Sequence, residues 1–145
     1  MITELTLRIT LTDPFPGVVY GLQEGKGNDF STIQKQEGDG HDLVFEFRAK
    51  YKIEAGSVVL LGPFAQGTPQ DRFTYLDIGT IAGQTDSVWS RRLKIPLTGI
   101  TEQMIRQLEK EKDSLLRTTV PGKGKDGGPN CATVKPFEGW TVALG

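Results

Sequence analysis

Cysteine and histidine are nearly absent from this 145-residue chain: Cys131 and His41 stand alone, beside two methionines and two tryptophans. One cysteine forms no intramolecular disulfide, and one Cys with one His falls short of the four N/S ligands of a structural zinc site, so no metal is expected. Any mechanism that needs an imidazole must pass through His41. That residue lies in the turn Asp39-Gly40-His41-Asp42 and reads as a surface residue, and a nucleophilic pair with Cys131 has no local support. An excess of charge is also lacking. With 17 Lys and Arg against 18 Asp and Glu the net charge is −1, so there is no general positive field, and neither nucleic acid nor membrane is expected as a partner. No stretch approaches the roughly 20 apolar residues of a membrane span. The start, Met1 to Leu11, alternates apolar residues with Thr6, Arg8 and Thr10 instead of forming a signal-peptide core, which leaves a cytoplasmic location as the expectation.

What is present is a turn-rich globular composition, with 37% apolar residues, 18 glycines and 8 prolines. A chain of this size is expected to form one domain over residues 1–145 with one core. Leu5, Leu7, Ile9 and Leu11 keep the period of two of a half-buried strand, which Asp13-Pro14-Phe15-Pro16-Gly17 breaks. The clearest strand is 43–53, where Leu43, Phe45, Phe47, Ala49, Tyr51 and Ile53 mark a core face and Glu46, Arg48, Lys50 and Lys52 a water face. Further strands are predicted at 18–22, 30–35, 57–61 (an apolar run, buried on both faces), 73–78, 88–97, 116–120, 132–134 and 140–144, and a loop at 66–70. One helix is predicted after Thr101, an N-cap residue with Ile100 and Ile105 at hydrophobic-staple spacing and Met104, Ile105 and Leu108 on its buried face.

Strands in this number with a single helix cannot alternate as βαβ units. The expected fold is therefore mainly β (α+β), with antiparallel meanders closed into a barrel or folded into a sandwich of about eight short strands, and the helix at one end or edge.

Candidate chemistry concentrates in three segments. In Trp89-Ser90-Arg91-Arg92-Leu93-Lys94-Ile95-Pro96-Leu97, strict alternation puts Arg91 on the Trp89 and Leu93 face, where a guanidinium must be paired or open onto a cavity. Tyr75 and Asp77 share a face of the preceding strand and are its expected partners, while Arg92 and Lys94 with Ser90 form a cationic row on the other face. The loop 121–131, with Lys123 and Lys125 and with Lys135 beyond it, supplies flexible backbone and positive charge. It lacks the GxxxxGK[ST] spacing and the strand-to-helix context of a phosphate loop, so no cofactor is expected.

Several longer segments carry a resemblance: Pro16-Gly17-Val18-Val19-Tyr20-Gly21-Leu22-Gln23, Gly62-Pro63-Phe64-Ala65-Gln66-Gly67, Arg72-Phe73-Thr74-Tyr75-Leu76-Asp77-Ile78-Gly79, Trp89-Ser90-Arg91-Arg92-Leu93-Lys94, and Gly127-Gly128-Pro129-Asn130-Cys131-Ala132-Thr133-Val134-Lys135. Over nearly the whole chain they resemble an uncharacterised bacterial family known only as a domain of unknown function. The resemblance implies a bacterial, cytosolic origin and no mechanism.

The residues thus point to a domain that binds a small molecule or anion between Tyr75, Asp77, Trp89, Arg91, Arg92, Lys94, Lys123, Lys125 and Lys135. The competing readings are a cofactor-free lyase, isomerase or hydrolase using Asp77 or Tyr75 as acid or base with Arg91 on an oxyanion, and a homodimeric interaction module with an apolar patch.

Overall fold

The computed structural model describes residues 3–26, 29–61, 72–73, 75–81, 90–97, 100–112, 114–131 and 140–144. The alternation of the first segment becomes strand β1 (Thr3–Thr12), followed by β2 (Val19–Lys26), β3 (Asp29–Glu37), β4 (Leu43–Glu54) and β5 (Ser57–Leu61). After them come β6 (Arg72–Phe73), β7 (Tyr75–Ile81), β8 (Ser90–Pro96), helix α1 (Glu102–Lys110), β9 (Ser114–Pro121) and β10 (Thr141–Leu144). They form two sheets: sheet A, ordered β10-β9-β1-β4-β5-β6, and sheet B, ordered β3-β2-β7-β8.

The apolar halves of these alternations meet between the sheets. Leu7, Ile9, Phe45 and Leu116 from sheet A and Tyr20, Leu22, Leu76, Ile78, Leu93 and Ile95 from sheet B are buried in one core cluster. Each such aliphatic or aromatic side chain contributes about 1.5–3 kcal/mol on burial. The arrangement is a sandwich, without a closed barrel among the described residues. Between the two sheets runs a polar seam. β1 covers one side of β4, and on the other side β5 pairs only over Lys50–Glu54, leaving the Val44 and Glu46 carbonyls there without a strand partner among the described residues. A register slip between Leu22 and Gln23 sets Gln34 opposite Leu22 and Gln36 opposite Tyr20, on the face of sheet B that looks towards sheet A. From there the amide of Gln34 donates to the Glu46 carbonyl at 2.6 Å and that of Gln36 to the Val44 carbonyl at 2.7 Å. Side chains thus do at this edge what a further strand would do.

Three expectations need correction, the smallest being Ile53, expected on the core face of β4 and 40% exposed near the hairpin end of that strand. Sheet A is mixed rather than wholly antiparallel, because β9 runs parallel to β1 from Leu7↔Leu116 to Thr12↔Pro121. A parallel pair requires a long crossover, and here the chain between β1 and β9 is long and brings α1 in just before β9. The 57–61 run is not buried on both faces: Ser57 is exposed and Val58 and Val59 are half-buried, and among the described residues only the two-residue β6 pairs beyond β5. The predicted loop at 66–70 and strand at 132–134 lie outside the described residues.

Helix α1 forms as its cap predicts. Thr101 holds an extended backbone and its hydroxyl accepts from the Met104 N–H at 3.2 Å, and Glu102 and Arg106 pair one turn apart at 3.0 Å. Ile100 and Ile105 are buried in the core, with Met104 and Leu108 packed against it. An isolated bridge between Thr101 and Ser57 ties the helix start to the β4–β5 hairpin, whose tip, Ala55-Gly56, has positive φ at both residues. The helix therefore lies by the end of sheet A where β1 begins and β4 finishes. Among the described residues, no helix is long and apolar enough to cross a membrane.

Candidate functional site

Sheet B carries a row of polar residues on its outer face. Asp77 stands opposite Gln23 of β2 on one side and Lys94 of β8 on the other. Gln23 is 0% and Asp77 1% exposed, Tyr75 beside them is 5% exposed, and the glycines Gly21 and Gly79 that pair next to the row are buried. Lys94 reaches from the exposed end of the row over the Tyr75 ring, its Nζ 4.3 Å from the centroid. A buried carboxylate and amide persist only where they are hydrogen-bonded or paired, and Gln23, Tyr75 and Asp77 each have a partner.

Of the residues expected to form a site, the structure therefore brings Tyr75, Asp77 and Lys94 together. The β7–β8 register slips between Ile78↔Leu93 and Thr80↔Ser90, so Arg91 and Arg92 together stand opposite Gly79. That extra residue is a β-bulge in β8. The Arg91 and Arg92 side chains, and all of Trp89 and Lys135, lie outside the described residues; the other tryptophan, Trp140, is core.

Lys123 and Lys125 lie elsewhere. Residues 121–130 form a small hydrogen-bonded hairpin: Gly124 N–H donates to the Gly128 carbonyl at 2.7 Å, Gly127 N–H to that of Gly124 at 3.1 Å, and Asn130 N–H to that of Gly122 at 3.0 Å. Gly122 donates to the Thr12 carbonyl at 2.7 Å, and a side-chain carbon there would meet that same oxygen at 2.8 Å, which is why glycine is needed. Lys123 pairs with Asp13 at 3.1 Å and lies 5.1 Å from the Phe15 ring centroid. Asp13 and Phe15 lead into the start of β2, whereas Tyr75 pairs with Gly25 near its end. Those six residues of strand separate the two groups by about 20 Å, and Lys125 is exposed to solvent.

The outer face of sheet A holds the cavity that sequence reasoning missed. A groove of about 500 Å³ opens where α1 passes the beginnings of β1 and β9. Glu4, Thr6 and Arg8 of β1 with Glu46 and Arg48 of β4 line its polar side. Leu5, Tyr51, Ile105, Leu108 and Leu115 contribute apolar surface, and Glu109 and Ser114 stand at the helix side. The Nε and Nη2 atoms of Arg8 both lie 2.8 Å from the same Glu46 oxygen, an ion pair with side chains 34% and 46% exposed. Arg48 instead stands opposite Thr6 and Glu4 opposite Lys50. All these charged residues belong to the half of each alternation assigned to water. Only the β1–β4 register shows that they share one patch beneath a helix.

Among the described residues, two ionisations near the turns depart from their ordinary range. Burial raises the Tyr20 hydroxyl above 10.0, against the opposing effects of the Phe15 N–H, which donates to it at 2.9 Å, and of the nearby Lys123 charge. Asp39 is lowered, chiefly because its carboxylate accepts the His41 N–H at 2.9 Å. His41 itself is a surface turn residue, its side chain 88% exposed, and Cys131 is exposed and unbridged.

No curated protein and no solved structure matches the chain. A family model does, described as Family of unknown function (DUF5990) and matching residues 5–143. That span takes in the groove-lining Leu5-to-Arg8 stretch of β1, the Tyr75-Asp77-Lys94 row and the Lys123 hairpin alike, and the chain belongs to this family.

Proposed function

We propose that the protein is a ligand-binding β-sandwich domain, with the groove between α1 and the outer face of sheet A as its site and the polar row of sheet B serving the fold. The carrying observation is the groove itself. At about 500 Å³ it falls in the few-hundred to one-thousand Å³ range of small-molecule sites, and it joins apolar surface to a few convergent polar groups as such sites do. Helix and strands hold it in place, so binding needs little reorganisation. In the row on sheet B, by contrast, Gln23 and Asp77 are buried, whereas the charged groups of the groove are open to solvent. The even charge balance and single cysteine support a cytosolic setting, and the family resemblance a bacterial one.

A thermal-shift screen against carboxylates, phosphates, nucleotides, amines and amino acids tests this reading, since a ligand that binds only the native state raises its apparent stability by mass action. At least one class is expected to raise the midpoint in the parent protein and to lose that effect in Arg48→Ala. A screen in which no class does so overturns the proposal.

A further inference from the structure

Within the groove some charges are already spent and others are not. Arg8 and Glu46 neutralise each other. Arg48 faces the uncharged Thr6 across the ladder, and its diagonal neighbour Glu4 lies about 7–8 Å away between backbones. Glu109 comes from the helix. Among the described residues none of Arg48, Glu4 and Glu109 is held in an ion pair, and all three are exposed around Leu108 and Leu115. The groove thus presents, outside any ion pair, the Arg48 guanidinium, the Glu109 carboxylate and the Glu4 carboxylate, which has Lys50 across the ladder, over an apolar floor.

A simple anion would meet Arg48 but also the two carboxylates, and a simple amine would meet the carboxylates but also Arg48. A molecule carrying both charges on groups attached to one carbon satisfies the whole set. We infer that the groove takes a zwitterion with an apolar body, of which a free apolar α-amino acid is the simplest form. Its carboxylate meets the planar fork of Arg48, which suits two-point contact. Its ammonium lies towards Glu4 and Glu109, and its side chain covers Leu108 and Leu115. This deepens the ligand-binding reading above and rests on it.

The test is an amide-resolved NMR titration of the full chain with L-phenylalanine, N-acetyl-L-phenylalanine and phenethylamine, which carry both charges, the negative one and the positive one. L-phenylalanine is expected to shift the Thr6, Arg48, Leu108 and Leu115 amides. Each singly charged analogue is expected to bind about ten-fold or more weakly, the loss of one charge-assisted contact. Arg48→Ala should abolish the response and Arg48→Lys retain part of it, with the remaining amides unmoved to show that both variants fold. An analogue lacking one charge that binds the groove as tightly as L-phenylalanine would overturn the zwitterion while leaving the groove as a site. Shifts confined to other surfaces, or no shift with L-phenylalanine, would also overturn it, and the thermal-shift screen then decides separately whether the groove binds anything.

Discussion

Both sheets turn a polar face away from the shared core, yet the two faces are built on opposite principles. On sheet A the outward residues Thr6, Arg8, Glu46 and Arg48 stand in water, and where they pair, as Arg8 does with Glu46, the pair is half-exposed. On sheet B the outward residues Gln23, Tyr75 and Asp77 are buried. A polar residue on the first face is free to meet a ligand; on the second it is bound into the fold. Alternation along a strand separates polar from apolar, and it does not separate exposed from buried. Energetically the gap is wide, since an exposed ion pair is worth well under 1 kcal/mol whereas an unsatisfied buried charge costs several.

The sharpest break of that comparison is Asp77→Ala. Removing a 1%-exposed carboxylate from a buried network should cost about 3 kcal/mol, read as a lower urea midpoint; a midpoint within error of the parent would mean that the row is not a satisfied network. Next in size is the seam. Gln34→Ala with Gln36→Ala removes two amide bonds to β4 carbonyls and should cost about 1–2 kcal/mol in total, with faster hydrogen exchange along β4 near Val44 and Glu46. Unchanged exchange there would show that the seam does not hold the sheets together.

Tyr20 provides a pH test independent of either face. Its folded pKa is raised above 10.0 by burial, so the neutral hydroxyl is favoured in the native state. That contribution is complete below pH 10 and is lost as pH rises through the folded value. Tyr20→Phe should cost about 1 kcal/mol at neutral pH, leaving the Phe15 N–H without its acceptor, and should flatten the alkaline loss of stability. An equally steep alkaline loss in the variant would place its origin elsewhere. The smallest effect belongs to sheet A: Glu46→Gln should change stability by less than 1 kcal/mol, and by less still at high salt. A large, salt-independent loss would make the Arg8–Glu46 pair part of the fold and erase the contrast between the faces.

Much of the fold was legible in the chain. The core halves of β1 and β4, the N-cap of α1 and its staple follow from period and spacing, and the structure has them where Leu5 to Leu11, Leu43 to Tyr51 and Thr101 predict. The parallel β1–β9 pair was not legible, because strand direction depends on where a distant segment returns rather than on its composition. Little of the groove was legible either. Tyr75, Asp77 and Lys94, whose positions follow from alternation, do come together. The Glu4, Arg8, Glu46 and Arg48 patch is invisible until β1 and β4 are laid antiparallel in one register and α1 is placed beside them. The two bulges show the same limit at smaller scale. One extra residue moves Gln34 to the inner face and sets Arg91 and Arg92 jointly against Gly79, and neither slip leaves a mark in the hydrophobic pattern.

The most direct test of the division between a binding face and a structural face is to measure Arg48→Ala and Asp77→Ala for both urea stability and response to the compound class that stabilises the parent. The account predicts a crossed result. Arg48→Ala keeps the parent midpoint to within about 0.5 kcal/mol, as exposed substitutions do, and loses the ligand response. Asp77→Ala loses stability and, at temperatures where it remains folded, keeps the response. A ligand response that survives Arg48→Ala and disappears in folded Asp77→Ala would contradict the account and move the binding site to sheet B.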